Sequence, residues 1–144
     1  MIVNKPLVVF DIESTGLDII QDRIIDITLI KINTDNSKIE KNYRVNPEVK
    51  ISTESSEIHG IYKEDILKCK TFKSYAKEIF HFIKGCDLGG FNILKFDLPI
   101  LIEELLRCDV ELPLKNVKIV DALRIYHLDF MAISPPANES IFIS

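Results

Sequence analysis

The chain has 144 residues, 47% hydrophobic and 28% charged, with five Gly, six Pro, three Cys, no Trp and a formal net charge of −4. That length suits one compact domain, and the apolar fraction excludes wholesale disorder, collagen-like repeats and low-complexity structure. No apolar run approaches the roughly 18–20 residues of a membrane span, no cleavage-like small-residue site follows Met1 to Phe10, and Cys69, Cys86 and Cys108 are odd in number and dispersed, so a cytoplasmic chain with no disulfide framework and no membrane partner is expected.

In chain order, Leu7-Val8-Val9-Phe10 is a continuous apolar run of the kind found in a central strand covered on both faces. Arg23 to Ile32 is rich in β-branched residues and predicts a second strand, Asn33 to Ser37 is turn chemistry, and Ile39 to Val45 predicts a third strand, so strands two and three form a hairpin. Phe72, Tyr75, Ala76, Ile79, Phe80 and Ile83 fall on one helical stripe, closed by Lys84-Gly85. A short strand is predicted at Cys86 to Gly90, a helix from about Leu98 to Cys108 with Pro99 in its first turn, a last strand at Val117 to Val120, and another helix starting near Asp121. A hairpin followed by strands alternating with helices indicates an α/β fold, a mixed sheet with helices on its faces.

Charge is unevenly spread: residues 1–62 carry 7 basic and 10 acidic groups, 63–84 carry 6 and 3, and 85–144 carry 5 and 9. The basic middle segment reads either as a solvated Lys-rich helix face or as a shoulder beside an acidic pocket, where an anionic substrate and divalent cations would meet.

Asp11 and Glu13 are two apart at the end of the first strand and so project to the same face. Paired carboxylates there repel and resist desolvation unless a cation lies between them, or else the strand has surfaced and both are solvated. Asp97, just before Leu98-Pro99, is suited to capping a helix N-terminus, which alone could account for it.

Together these segments resemble the DEDDh-type 3′–5′ exonucleases, the DnaQ-like group typified by the proofreading subunit of bacterial DNA polymerase III. The first family motif, Asp-x-Glu-x-Thr-Gly-Leu, is matched by Asp11, Glu13, Thr15, Gly16 and Leu17, and is followed by Asp22 to Ile27. Ile58-His59-Gly60-Ile61 matches an intermediate stretch, Asn92 and Asp97 the second motif, and Val120 to Leu123 a further family-like segment. The resemblance covers roughly residues 6–125 and implies a ribonuclease H-like fold. It also implies that Asp11, Glu13 and Asp97 ligate two Mg²⁺ or Mn²⁺ ions, and that Thr15, Gly16 and Leu17 lie against the 3′-terminal nucleotide of single-stranded DNA or RNA. His59 either contacts substrate or ties its loop down. Asn92 has the same two readings, while Asp26 and Asp121 are structural, Asp121 being a possible helix cap.

The third motif, a His or Tyr base and a fourth Asp, has no good match. Tyr126, His127 and Asp129 sit at the wrong spacing and come early. The sequence reading therefore divides the chain into an exonuclease-like domain over residues 1–128, incomplete at its C-terminus, and an atypical tail over 129–144. The tail's Pro135-Pro136 stops any helix, and its Ile141-Phe142-Ile143 could cover exposed core or meet a partner chain, including a second copy. It anticipates weak metal binding and slow cleavage, with a DNA polymerase complex as a further partner. The alternatives are a non-catalytic nucleic-acid-binding or complex-forming module, and a phospho-receiver-like domain with an acidic Mg²⁺ pocket.

Overall fold

The apolar run Leu7 to Phe10 opens a strand, β1 (Leu7–Ser14), that extends four residues further than its apolar part and carries Asp11 and Glu13 within the strand itself. In the computed structural model, which describes residues 4–121 and 142–143, β1 lies between β2 (Ile24–Ile32), antiparallel to it, and β4 (Asp87–Gly90), parallel to it. The sheet order is β3-β2-β1-β4-β5-β6, with β3 (Lys38–Arg44), β5 (Ile119–Asp121) and β6 (Phe142–Ile143). The β2–β3 hairpin turns where expected, with Asn36 in the left-handed region at φ 68° and the Asp35 carboxylate accepting the Ser37 N–H at 2.9 Å. This mixed sheet with an antiparallel hairpin differs from the all-parallel sheet of a receiver-like domain.

Alternation along β1 divides the interior. Val8, Phe10 and Ile12 enter the main core. It is built with helix α3 (Ala76–Ile83) and helix α4 (Asp97–Arg107). Leu7 and Val9 face the other way, against Ile30, Ile32 and Val120. Asp11 and Glu13 continue this second row.

A β-bulge falls beside the acids. Glu13 pairs with Asp26 but Ser14 pairs with Ile24, leaving Ile25 as the extra residue. Ile25 is fully buried, packed with Ile51, Ile61 and Ile66 under two short helices, α1 (Thr53–His59) and α2 (Lys63–Ile66). These helices were not anticipated from sequence. Ser52 caps α1 by accepting the Ser55 N–H, and Gly60 ends it at φ 72°.

Two expectations need correction. The stripe from Phe72 is not one helix: Phe72–Ser74 is a 3-10 turn, Tyr75 breaks it, and α3 buries Phe82 while Phe80 is only half-buried. Tyr75 instead turns its ring toward Tyr43, 4.9 Å away. Asp97 is not the cap of α4. Phe96 occupies that position, and Asp97 sits in the first turn. Asp121 is the last residue of β5, and the helix expected to follow it lies outside the described residues. At the far edge, β6 pairs antiparallel with β5, Val120 opposite Ile143 and Asp121 opposite Phe142. No helix among the described residues is long and apolar enough to cross a membrane.

Candidate metal centre and strand-end site

The site forms where β1, β4 and β5 end together. The backbone continuing from Phe10 and that of β4 approach so closely that a Cβ on Gly90 would lie 2.7 Å from the Phe10 carbonyl oxygen and 2.4 Å from Ile93 Cγ2. This contact turns the chain into the loop Phe91 to Phe96, where Asn92 adopts φ 56° with an exposed side chain, and delivers Asp97 to the end of the sheet. There the Asp97 carboxylate accepts the backbone N–H of Ile12 at 3.3 Å, so it lies between the two strand acids along the chain.

The electrostatics follow from crowding. Burial pushes Asp97 up to about 7, aided by the charges of Asp11, Glu13 and Asp121, while the Ile12 N–H opposes the shift. Burial pushes Glu13 up to about 6, with Asp11 and then Asp26 adding repulsion. Asp26, directly across the ladder from Glu13, is itself held by Arg44 at 3.1 Å and Asn42 at 2.9 Å. Asp11, Glu13, Asp97 and Asp121 thus crowd one end of the sheet, with Asp26 across the ladder from Glu13.

These donors suit a hard divalent cation, which takes carboxylate oxygens and offsets their repulsion. Among the described residues no three His, Cys, Asp or Glu side chains converge into a protein-only cage. Magnesium is commonly held by one or two carboxylates, with water and substrate phosphate completing the shell, so the set remains compatible with it.

The loop after Glu13 is tightly ordered. Thr15 is buried, and its hydroxyl donates to Asp22 Oδ1 at 2.8 Å while accepting the Arg23 N–H at 3.0 Å. At Gly16 a Cβ would fall 2.5 Å from Asp22 Oδ2, so a side chain there has to displace the Asp22 carboxylate. Leu17 stands 86% exposed at the tip. His59, the last residue of α1 rather than part of a loop, accepts the Ile61 N–H on Nδ1 at 3.0 Å. Its Nε2 therefore carries the proton and donates to the Ser14 carbonyl at 3.0 Å. Both ring nitrogens are engaged by backbone, leaving only the ring face for other contacts.

Thus Asp11, Glu13 and Asp97 lie close enough for their charges to act on one another, with Thr15, Gly16 and Leu17 following Glu13 along the chain, His59 bonded to Ser14 and Asn92 on the loop leading to Asp97. Tyr126, His127 and Asp129 lie outside the described residues. Sequence reasoning overlooked Asp22, which organises the Leu17 loop, and took Asp121 as structural or a helix cap. Its carboxylate accepts the Leu94 N–H at 3.4 Å and adds charge beside Asp97. An Asp six residues after a Thr-Gly pair was the available signal for Asp22. A separate cavity of about 660 Å³, lined by Asn46, Val49, Ile51, Tyr62, Ile66 and Leu67 among others, includes none of the acids of the site.

Residues 8–137 match the exonuclease family of RNase T type. The chain is 32% identical over 133 residues to the PolC-type DNA polymerase III of Thermotoga petrophila, covering 88% of this chain and 10% of the polymerase. It is 27% identical over 142 residues to the 3′-5′ exonuclease DinG of Staphylococcus epidermidis, covering 94% of this chain and 14% of that protein. It therefore spans a small fraction of these relatives' length. Among solved structures, E. coli exonuclease I in complex with a dT13 oligonucleotide shares the fold, with a TM-score of 0.75 at 17% identity, covering 98% of this chain and 34% of that one.

Proposed function

The chain belongs to the RNase T-type exonuclease family, and from that membership we propose that it is a divalent-metal-dependent 3′–5′ exonuclease domain acting on single-stranded DNA or RNA ends. The observation that carries this reading is the pressure on Asp97 and Glu13, raised to about 7 and about 6 by burial and by facing Asp11. Such a set is relieved by cations and is costly without them.

In this reading Asp11, Glu13 and Asp97 hold the metal. Bound Mg²⁺ or Mn²⁺ supplies Lewis-acid stabilisation of charge on the attacking and leaving oxygens of a phosphodiester. Thr15 and Gly16 offer backbone to the terminal nucleotide, Leu17 an apolar wedge, and Asn92 a polar contact from the opposite loop. His59 holds the Ser14 carbonyl and has its ring face to offer. Backbone and apolar contacts carry little base information, so sequence-blind trimming follows. No His or Tyr with a following Asp stands at the family's third-motif spacing within the 144 residues. Relatives named as DNA polymerases support a polymerase as partner. Self-association through residues 129–144 is a further reading, read out by light scattering.

The test uses 5′-labelled single-stranded DNA and RNA with Mn²⁺. Stepwise shortening from the 3′ end, abolished by a chelator and by Asp11→Ala, is expected. Binding without shortening identifies the non-catalytic module instead. Shortening that survives both the chelator and the substitution overturns the metal assignment.

A further inference from the structure

The Asp22 carboxylate occupies the inside of the loop that follows the paired acids. Its Oδ1 accepts the Thr15 hydroxyl at 2.8 Å, and its Oδ2 accepts the Asp18 N–H at 2.8 Å, spanning both sides of Leu17. The loop closes on itself through the Asp22 N–H to the Asp18 carbonyl at 2.8 Å and the Ser14 hydroxyl to the Gly16 carbonyl at 2.6 Å. Asp18 in turn accepts the N–H groups of Ile20 and Gln21 at 2.9 and 3.1 Å, and Arg107 from α4 donates to the Ile20 carbonyl at 2.5 Å.

These bonds hold an apolar side chain in solvent. Leu17 is 86% and Ile20 58% exposed. A loop free to rearrange would gain by folding Leu17 inward, since that removes its apolar surface from water. The network prevents this, with Asp22 bridging its two limbs. Its carboxylate also fills the space where any side chain at position 16 would go, with both oxygens and Cγ 2.5–2.8 Å from a Cβ built on Gly16. A rigid loop with an exposed apolar tip, adjoining the Glu13 end of β1, is preorganised for a flat apolar ligand.

We propose that Asp22 is a positioning residue of the strand-end site, holding Thr15 to Asp18 in the one geometry that presents Leu17 to the terminal nucleotide. This rests on the exonuclease reading. Asp22 touches neither metal nor substrate and acts through Leu17 and the Thr15–Gly16 backbone. Gly16 and Asp22 then form one device: a methyl group at 16 must expel the carboxylate, so it reproduces the loss of Asp22.

The experiment compares wild type, Asp22→Ala, Asp22→Asn, Gly16→Ala and the Gly16→Ala/Asp22→Ala double variant. It measures KM and kcat on oligo(dT) with Mn²⁺, Mn²⁺ affinity without DNA, and amide exchange of Leu17 and Asp18. Asp22→Ala is expected to raise KM tenfold or more, with kcat reduced less than KM rises and Mn²⁺ affinity within about twofold. Its Leu17 and Asp18 amides should exchange at least tenfold faster. Asp22→Asn, which keeps the acceptor for Thr15 and loses that for Asp18, falls between. The double variant is no worse than either single one. Unchanged KM and exchange in Asp22→Ala overturn the proposal, as do additive single effects or a parallel loss of Mn²⁺ affinity. A wild type that neither binds nor shortens oligo(dT) overturns the exonuclease reading and the nucleotide role with it. The exchange data still decide whether Asp22 holds the loop.

Discussion

The Asp97 carboxylate accepts the Ile12 N–H at 3.3 Å, so a side chain from the first turn of α4 closes against the middle of the Asp11–Ile12–Glu13 segment. The bond favours the charged carboxylate, yet burial and the neighbouring acids outweigh it and raise Asp97 to about 7. An acid whose folded-state value lies above its unfolded one binds more protons when folded. Stability in the metal-free protein therefore falls as pH rises from about 4 to about 7, and is flat above that range. Asp97→Asn keeps an acceptor for Ile12 and removes the charge. Its metal-free form should be more stable at pH 7.5 by about 2–4 kcal/mol, with a flatter profile from pH 4 to 7. Denaturant titrations at several pH values give the result, and a variant no more stable than wild type at pH 7.5 contradicts it.

The same raised carboxylates tie metal binding to protons. At pH 6 Glu13 is about half and Asp97 mostly protonated, so an arriving cation displaces protons. Mg²⁺ or Mn²⁺ affinity should rise steeply from pH 5.5 to 7 and level off above about pH 7.5. Calorimetry at pH 6 in two buffers of different ionisation enthalpy should show release of about one proton or more per binding event. Heats that do not depend on the buffer would argue that the cation sits elsewhere.

His59 links the end of α1 to Ser14 through a chain of two hydrogen bonds, both 3.0 Å long. The structure fixes the neutral ring as the Nε2–H tautomer, which nitrogen NMR shifts identify directly. His59→Ala removes both bonds at a partly buried site and should cost about 1–3 kcal/mol, read from thermal unfolding. Finding the Nδ1–H tautomer would reverse the assignment of donor and acceptor.

The order of strands, the hairpin and the placement of the first acid pair were legible because they rest on local patterns: Leu7 to Phe10, the Asn33 to Ser37 turn and the period of two that puts Asp11 beside Glu13. The rest depends on contacts distant in sequence. Asp97 reads as a cap because its neighbours Leu98-Pro99 are helix-start chemistry, but the partner that claims its carboxylate is Ile12, 85 residues away. Asp121 likewise meets its partners, Gly90 across the ladder and the Leu94 N–H, only through the tertiary fold. Ile25 sits within a run rich in β-branched residues, so nothing local marks it as the bulge that sends one side chain to α1 and α2.

Gly90 should tolerate no side chain. Its φ is 157°, and a Cβ would press against the Phe10 carbonyl, which belongs to rigid sheet backbone. Gly90→Ala should destabilise the protein by about 1–3 kcal/mol, the usual range for overpacking, and displace the loop that delivers Asp97. Chemical denaturation measures the first effect and metal affinity the second. Wild-type stability in this variant would mean that β1 and β4 can separate without loss.

Glu104 offers the sharpest test of what supports the site from behind. It is 5% exposed on α4, and its Oε2 accepts the Ile24 N–H at 2.9 Å while Oε1 pairs with Arg107 at 3.0 Å. The Ile24 N–H needs this acceptor because the bulge at Ile25 breaks the ladder beside it. Glu104→Ala would strand a buried donor and leave Arg107 without its carboxylate, a loss of about 3–5 kcal/mol. Glu104→Gln keeps a carbonyl for Ile24 and gives up the charge, so it should lose roughly half as much. Since Arg107 also donates to Ile20, Glu104→Ala should loosen the Leu17 loop from its far side. Equal losses for Ala and Gln in urea unfolding would show that the ion pair, not the Ile24 bond, is what the buried carboxylate is for.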